Sequence, residues 1–242
     1  EHAGDDAATE VETLRALATA HPEGYVFVAS YARALTARGL ARDAMGVLAA
    51  AVARFPADAS LFHDLAVAAR TAGEAADATR AEEAALALDD RNAAAHNGLG
   101  LLRADAGDAP AAVTAFTRAV EIDATNATYW ANLGNARRAA GDAAGAAAAY
   151  DRALAFDPAH ADAANGRGVM LVQGGRAADA IAVFTAALAA SPDLHEARLN
   201  LAVTEFQRGH AARAITLARE AAASTRDSAI RVKARAFLRD LQ

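Results

Sequence analysis

Histidine is the side chain best suited to metal binding and proton transfer near neutral pH, so its spacing is the first test for chemistry. Seven histidines are present, and most lie far apart along the chain. The segment His-Glu-x-x-His, which would place two zinc ligands on one face of a helix, does not occur. His160 and His195 are 35 residues apart and would meet only if the chain repeats with nearly that period. We interpret them as surface turn residues and predict no metal site.

Glycine pairs and acidic pairs are the next candidates for chemistry. Gly98-x-Gly100 and Gly166-x-Gly168 resemble the start of a phosphate-binding loop, but such a loop follows a β-strand, and both pairs lie within helical patterns. We therefore assign them to helix packing. Adjacent carboxylates are interpreted as solvated surface: Asp5-Asp6, Glu82-Glu83 and Asp89-Asp90. A Gly-x-Ser-x-Gly nucleophile motif is absent, so we predict no catalytic residue, no cofactor and no enzymatic activity.

Composition limits the kinds of partner that are compatible with the chain. Of 242 residues, 54% are hydrophobic, and alanine dominates them, which suits closely packed helices. The net charge of −6 lacks the basic character that releases counterions from phosphates, so nucleic acid is not expected as a partner. A run of about 18 uncharged apolar residues is absent, so membrane insertion is not expected. Cysteine is also absent, which excludes disulfides.

Two features concern the origin of the chain. Arginine is abundant while Lys233 is the only lysine, which is typical of a GC-rich bacterial genome. The sequence begins with Glu1 instead of methionine, which indicates a mature form, a trimmed form or a fragment of something longer. These observations favour the bacterial cytoplasm or periplasm without deciding between them.

The elements that must position the polar side chains follow from an internal repeat. Glycine recurs at one constant interval without insertion or deletion: Gly39, Gly73, Gly107, Gly141, Gly175 and Gly209. Nine residues after each glycine stands a residue that is mostly large and apolar: Leu48, Glu82, Phe116, Tyr150, Phe184 and Ala218. A fixed period of about 34 residues indicates stacked copies of one supersecondary unit.

Residues 127–160 show the secondary structure of one copy most clearly. Trp130 and Leu133 lie three residues apart on one face of a predicted first helix. Gly141 ends this helix, and Tyr150 lies on the inward face of a second helix that stops at a proline. Helices of about 12–14 residues are marginal alone, so their stability must come from stacking against neighbouring copies.

The pattern resembles the tetratricopeptide repeat (TPR). The matching positions in the clearest copy are Trp130, Leu133, Gly134, Ala146, Tyr150, Ala153 and Pro158. The resemblance implies an all-α fold, a right-handed α-solenoid of stacked helix–turn–helix repeats with a concave groove lined by the first helices. Six copies are expected: 25–58, 59–92, 93–126, 127–160, 161–194 and 195–228. Residues 1–24 are expected to form the second helix of a partial earlier copy, and residues 229–242 a capping helix.

Some residues predict local departures from the regular repeat. Glu82 stands at a position that is usually large and apolar, so the second copy should pack more loosely or through polar contacts. Pro22 ends the partial first copy in register with later prolines. In the capping helix, Val232 and Phe237 are among the residues expected to cover the last copy. Phe206 is expected to pack against that helix in preference to anchoring a ligand.

A polar stripe on the first helices is the candidate binding site. Asparagine is unfavourable inside helices because its side chain competes for the backbone, so several on one stripe need a reason. Their amides donate and accept hydrogen bonds and can hold the backbone of an extended peptide without demanding a sequence. The predicted groove residues are Asn97, Asn132, Asn135, Arg138, Asn165, Arg70 and Asn200. Flanking positions are Arg33, His63, Asp64, Asp105, Asp162, Gln173, Glu196 and Gln207.

The resemblance implies a scaffold that binds a partner protein or an extended peptide in this groove. A clamp for peptide C-terminal carboxylates is not expected, because the lysines it requires are missing, and the mixed charge favours a partner with few strong charges. Three alternatives remain open. The first is that the asparagines are solvated or join one copy to the next. The second is that the chain is an accessory segment of a larger bacterial enzyme or of a secretion or assembly component, and the third is that copies of the chain self-associate through exposed ends.

Overall fold

The computed structural model describes residues 2–21, 23–224 and 228–241. Within these ranges the chain forms fourteen α-helices and no β-strand. Their bounds are α1 (His2–Ala20), α2 (Tyr25–Ala37), α3 (Ala41–Arg54), α4 (Ala59–Thr71), α5 (Ala75–Leu88), α6 (Ala93–Asp105), α7 (Ala109–Ile122), α8 (Ala127–Ala139), α9 (Ala143–Phe156), α10 (Ala161–Gln173), α11 (Ala177–Ala190), α12 (His195–Gln207), α13 (Ala211–Ser224) and α14 (Ser228–Asp240).

The helices form pairs with a constant spacing. The first helices α2, α4, α6, α8, α10 and α12 all begin at the same position of successive repeats, and each is followed by a second helix, from α3 to α13. The fold is an all-α solenoid of helical repeats, as the sequence predicts. It consists of two compact units, residues 1–123 with α1 to α7 and residues 124–242 with α8 to α14.

Each first helix ends in the same backbone motif, and this motif requires glycine. The six periodic glycines have φ angles between 73° and 85°, a region in which a side chain with Cβ is strained. At the end of α4, the Gly73 amide donates to the carbonyl oxygen of Arg70 (3.1 Å), and the Glu74 amide donates to that of Ala69 (2.9 Å). These two bonds form a Schellman motif, which satisfies carbonyls at the helix end. The recurring glycine therefore fixes where each first helix stops.

Side chains also fix where four of the six first helices start. Asp58, Asn92, Asn126 and His160 stand one repeat apart, immediately before α4, α6, α8 and α10. Each accepts a hydrogen bond from a backbone amide of the first turn, as Asp58 does from Ser60 at 2.9 Å. A cap of this kind stabilises a helix by about 1 kcal/mol.

The interior of a pair is set by the large residue of the second helix. Phe116, Tyr150 and Phe184 are at most 1% exposed. Each lies against a glycine of its own first helix, and a Cβ atom added to those glycines would stand no more than 2.6 Å from the ring. The glycines are Gly100, Gly134 and Gly168. The equivalent positions in pairs without an aromatic ring are Ala32, Ala66 and Ala202. A small residue on the first helix thus faces a large residue on the second. The prediction that the glycine pairs serve helix packing is confirmed.

Within each unit the first helices approach one another more closely than the second helices do. In residues 1–123, α2 contacts α4 and α4 contacts α6; in residues 124–242, α8 contacts α10, and α10 contacts α12. Among the described residues, no second helix brings a Cα atom within 8 Å of the next second helix in its unit. The first helices therefore lie on the inner, concave side of each unit.

The two terminal helices pack on the neighbouring pairs. Val11 of α1 contacts the cluster formed by α2, α3 and α4, whereas Pro22 and the Asp5-Asp6 side chains lie outside what the structure describes. Phe237 of α14 makes an edge contact with Phe206 of α12, with ring centroids 5.8 Å apart. The expected packing of Phe206 against the terminal helix is therefore confirmed.

Two expectations about side-chain burial are wrong. Val232 of α14 is 65% exposed and does not cover the last pair, because Ile230 and Ala234 occupy the packed face of the helix. Glu82 is 1% exposed and not on a solvated face, because its position in the repeat points between helices and not outward. In the described part of the chain, no helix has the length and apolar character needed to cross a membrane.

Candidate functional site

In residues 124–242, the predicted groove positions lie on α8, α10 and α12. We call Asn132, Asn135, Arg138, Asn165 and Asn200 the amide stripe. The asparagines are half-buried, and Arg138 is exposed at the end of α8. The Tyr150 hydroxyl donates to Asn135 Oδ1 at 2.7 Å, and Asn200 Nδ2 donates to Asn165 Oδ1. One of these bonds stays within a repeat, and the other joins neighbouring first helices.

These bonds hold one end of each amide and leave the other available. In the described residues, Nδ2 of Asn135, Nδ2 of Asn165 and Oδ1 of Asn200 have no hydrogen-bond partner in the protein. These three asparagines therefore offer two amide donors and one acceptor on the concave side. This is the complement of an extended peptide backbone, which carries one acceptor and one donor per residue. The alternative of bonds between copies is realised at Asn165 and Asn200 without consuming the whole amide.

The buried Tyr150 side chain holds the Asn135 amide of the stripe through its hydroxyl. Burial raises the pKa of its hydroxyl, an effect that the nearby guanidinium of Arg138 partly offsets. The phenol is therefore a neutral donor at any physiological pH, and its bond fixes the orientation of the Asn135 amide. The flanking residues Asp162, Gln173 and Glu196 are exposed.

The predicted groove residues of residues 1–123 form a different surface, made of ion pairs. Arg33 of α2 donates from Nε to Asp64 Oδ1 of α4 at 2.9 Å, and its Nη2 lies 2.8 Å from Oδ2. Arg70 of α4 pairs with Asp105 of α6 at 3.3 Å. Both pairs connect neighbouring first helices, so they link one repeat to the next. Asn97 of α6 is half-buried on this side.

A third pair on this surface includes the buried Glu82 of α5. His63 Nδ1 lies 3.0 Å from both carboxylate oxygens of Glu82. A Cβ atom at Gly98 of α6 would overlap Glu82 Oε1, so only glycine leaves room for the carboxylate. The expectation of polar packing in the second copy is confirmed. We call Arg33, His63, Asp64, Arg70 and Glu82 the charged face.

Burial and charge act in opposite directions on the His63–Glu82 pair. Burial lowers the pKa of His63, but the hydrogen bond and negative charge of Glu82 outweigh it, so the pKa is raised. Burial raises the pKa of Glu82, although His63 opposes this. Both pKa values are raised, so the pair binds protons more tightly than the separated side chains do.

Sequence reasoning named His63 as a flanking residue but missed its partner. The available signal was a glutamate at a position that is otherwise large and apolar, with a histidine 19 residues earlier. His160, by contrast, caps α10 and lies 3.3 Å from the Thr128 hydroxyl. His195 has its Nδ1 atom 3.2 Å from Arg198. Within the residues that the structure describes, His, Asp and Glu form no group of three suited to a metal ion.

Comparison with known families agrees with this architecture. A family model described as tetratricopeptide repeat matches residues 63–127 and 132–195, which is more than half of the chain. A second model with the same description matches residues 171–236. The chain belongs to the tetratricopeptide repeat family. A search of curated protein sequences gave no match for this TPR chain.

Solved TPR structures share the fold at low sequence identity. PilF from Pseudomonas aeruginosa is 18% identical with a TM-score of 0.74, over 90% of this chain and 99% of that one. YrrB, whose structure is described as a TPR protein with an unusual peptide-binding site, is 21% identical with a TM-score of 0.58, over 78% and 97%. MamA is 24% identical with a TM-score of 0.58, over 65% and 92%. The TPR fold of this chain is that of a protein-interaction repeat scaffold, a module that is typically non-catalytic.

Proposed function

We propose that this TPR protein binds an extended peptide segment of a partner protein on the amide stripe of residues 124–242, and that it acts by binding and not by catalysis. The observation that carries the proposal is the set of amide groups left available on Asn135, Asn165 and Asn200. They face the concave side from three successive first helices. An extended segment laid along them would receive backbone hydrogen bonds at intervals of one repeat.

Two further observations support a peptide as the ligand. Neutral amides recognise backbone groups that every residue shares, so the stripe suits a segment with few charged side chains. The net charge of −6 makes a polyanion such as nucleic acid a poor partner. YrrB, which shares the fold, is described as having a peptide-binding site.

The proposal is tested with a displayed library of unstructured 12-residue peptides selected on the purified chain. Affinities of selected peptides are then measured by calorimetry for the wild type and for Asn132→Ala/Asn135→Ala/Arg138→Ala. We expect at least a tenfold loss in the triple variant, provided that its helicity and melting are those of the wild type. The matched control Thr185→Ala/Arg219→Ala, on the exposed sides of α11 and α13, should bind like the wild type.

A second measurement identifies the groups that are recognised. Methylating a backbone nitrogen of a selected peptide removes one donor and leaves the side chains unchanged. If the stripe holds the backbone, methylation should weaken binding most at the position whose N–H donates to Asn200 Oδ1. Equal affinity of the triple variant and the wild type would remove Asn132, Asn135 and Arg138 from the binding site and contradict the proposal. A library that yields no binder would favour an accessory segment that acts only within a larger protein, and light scattering on the same sample tests self-association.

A further inference from the structure

Two ion pairs of the charged face expose the positive side chain and bury the negative one. In the Arg33–Asp64 pair, the arginine side chain is 62% exposed and the aspartate 9%. In the His63–Glu82 pair, the histidine is 23% exposed and the glutamate 2%. The side chains that reach the concave surface at these two positions are therefore cations, although the pairs are neutral overall.

Both cations keep an unused donor. His63 uses Nδ1 for Glu82, and Arg33 donates from Nε to Asp64 Oδ1, with Nη2 at ion-pair distance from Oδ2. Within the described residues, Nε2 of His63 and Nη1 of Arg33 have no hydrogen-bond partner in the protein. His63 holds the repeat position of Asn97 and Asn165, which stand one and three repeats further along the chain, and so lies on the concave side.

Stability alone does not explain the buried glutamate. Replacing a buried ion pair with apolar residues of similar volume is often neutral or stabilising, so an apolar residue would serve the fold at least as well. Four other pairs place Leu48, Phe116, Tyr150 and Phe184 at this position. What Glu82 adds is a fixed orientation of the imidazole, with Nδ1 held inside and Nε2 outside, and a counter-charge that keeps the ring protonated.

We propose that His63 and Arg33, oriented by the buried carboxylates of Glu82 and Asp64, bind an acidic side chain of a partner protein through His63 Nε2–H and Arg33 Nη1–H. The site lies in residues 1–123 and does not depend on the amide stripe. For this unit, the proposal differs from the expectation of a partner with few strong charges. Glu82 acts as a positioning residue, because it reaches the ligand only through His63.

The site should weaken as the pH rises. Burial lowers the pKa of His63, but the hydrogen bond and charge of Glu82 raise it above its ordinary value, and binding should disappear above that raised pKa as the ring loses its proton. The charged groups around the ring are Arg33 on α2, Asp64 and Arg70 on α4, and Glu82 on α5.

The test uses two small probes, N-acetylglutamate N-methylamide and its glutamine counterpart, titrated at pH 6 and low salt. The readout is the NMR signal of the His63 imidazole, assigned by its loss in His63→Gln. We expect saturable binding of the glutamate probe in the millimolar range, at least tenfold tighter than the glutamine probe, and absent above the measured pKa of His63. Arg33→Gln should weaken it, whereas Arg38→Gln, an equal charge change at the exposed end of α2, should not.

Glu82→Leu tests the positioning role. The variant should fold, because leucine occupies the same position at Leu48, and it should lower both the pKa of His63 and the affinity for the glutamate probe. Equal affinity for the two probes, or no saturation with either, overturns the acidic-ligand site. Unchanged binding in Glu82→Leu overturns the role of Glu82. Neither result bears on peptide binding by Asn135 and Asn165.

Discussion

Glu82 in residues 1–123 and Tyr150 in residues 124–242 occupy the same repeat position, two repeats apart. Both are buried, and both place a polar group against the concave side of their own first helix: Glu82 against His63, and Tyr150 against Asn135. One interaction is an ion pair and the other is a neutral hydrogen bond. The comparison shows that the repeat tolerates either chemistry at this position, provided that the buried group has a partner.

The ion pair and the neutral hydrogen bond differ in the free energy that is lost when one partner is removed. An uncompensated buried carboxylate costs far more free energy than an unpaired phenol, because the charge loses its solvation as well as its bond. The two surfaces also differ in what they offer a ligand. The charged face presents cationic donors, and the asparagines of the amide stripe present neutral donors and an acceptor.

Replacing the histidine of the charged face is expected to have the largest effect on the free energy of unfolding. His63→Leu leaves Glu82 buried without its counter-charge and should lower the free energy of unfolding by about 3–5 kcal/mol. Chemical denaturation followed by circular dichroism measures the loss, and hydrogen exchange of α4 and α5 amides locates it. A loss below about 1 kcal/mol, as found for exposed pairs, would mean that the carboxylate reaches water or takes up a proton at little cost.

The double variant His63→Leu/Glu82→Leu isolates the charge from the packing. Because both charged groups are removed together, its stability should equal or exceed that of the wild type, by up to about 4 kcal/mol. The same denaturation experiment completes the cycle, with Glu82→Leu as the remaining single variant. A double variant as unstable as His63→Leu would show that packing at this position, and not the buried charge, determines stability.

Gly134→Ala tests the packing of the other unit, in which the Tyr150 ring fills the space beside Gly134. Its Cβ atom would stand 2.6 Å from the Tyr150 ring, and overpacking of this kind should cost about 1–3 kcal/mol. Gly134→Ala/Tyr150→Leu should recover part of the loss, because Ala32 and Leu48 form that combination in the first pair. Thermal and chemical denaturation measure both variants. No recovery in the double variant would contradict the proposed exchange between the small and large positions.

The stability that the His63–Glu82 pair contributes should also depend on pH. His63 and Glu82 both have raised pKa values, so the native state holds more protons than the unfolded state between their ordinary and raised values. Their contribution to stability is complete below pH 4.5 and declines as the pH rises through the raised pKa of each group. Other carboxylates also titrate, so the useful quantity is the stability of the wild type minus that of the double leucine variant. This difference should fall from pH 4.5 to above pH 6.5, and a rise would contradict the assigned directions.

The smallest expected effect is the loss of the neutral hydrogen bond. Tyr150→Phe removes the hydroxyl that donates to Asn135, keeps the ring and should cost about 0.5–1.5 kcal/mol. The freed amide can turn, so peptides selected on the amide stripe should bind more weakly although no contact residue has changed. Denaturation and calorimetry on the same preparation measure both quantities. A cost as large as that of His63→Leu would contradict the distinction between charged and neutral partners.

The repeat and the limits of its first helices could be predicted from the sequence alone. The spacing of Gly73 and its equivalents fixes the helix ends, because the left-handed conformation there is a local property of one residue. Capping by Asp58 and its equivalents is local as well. The constant period then determines the fold class, because each pair must cover its apolar face with the next.

The chemistry of the two concave surfaces was decided by the tertiary structure. Arg33 and Asp64 are 31 residues apart, His63 and Glu82 are 19 apart, and Asn165 and Asn200 are 35 apart. Each pair meets only when helices stack, and the sequence pattern does not state which atoms of neighbouring helices then come within hydrogen-bonding distance. Glu82 was misassigned to a solvated surface for this reason. Its burial depends on the space beside Gly98, a residue of the next repeat, and a charge enters that space only because His63 compensates it there.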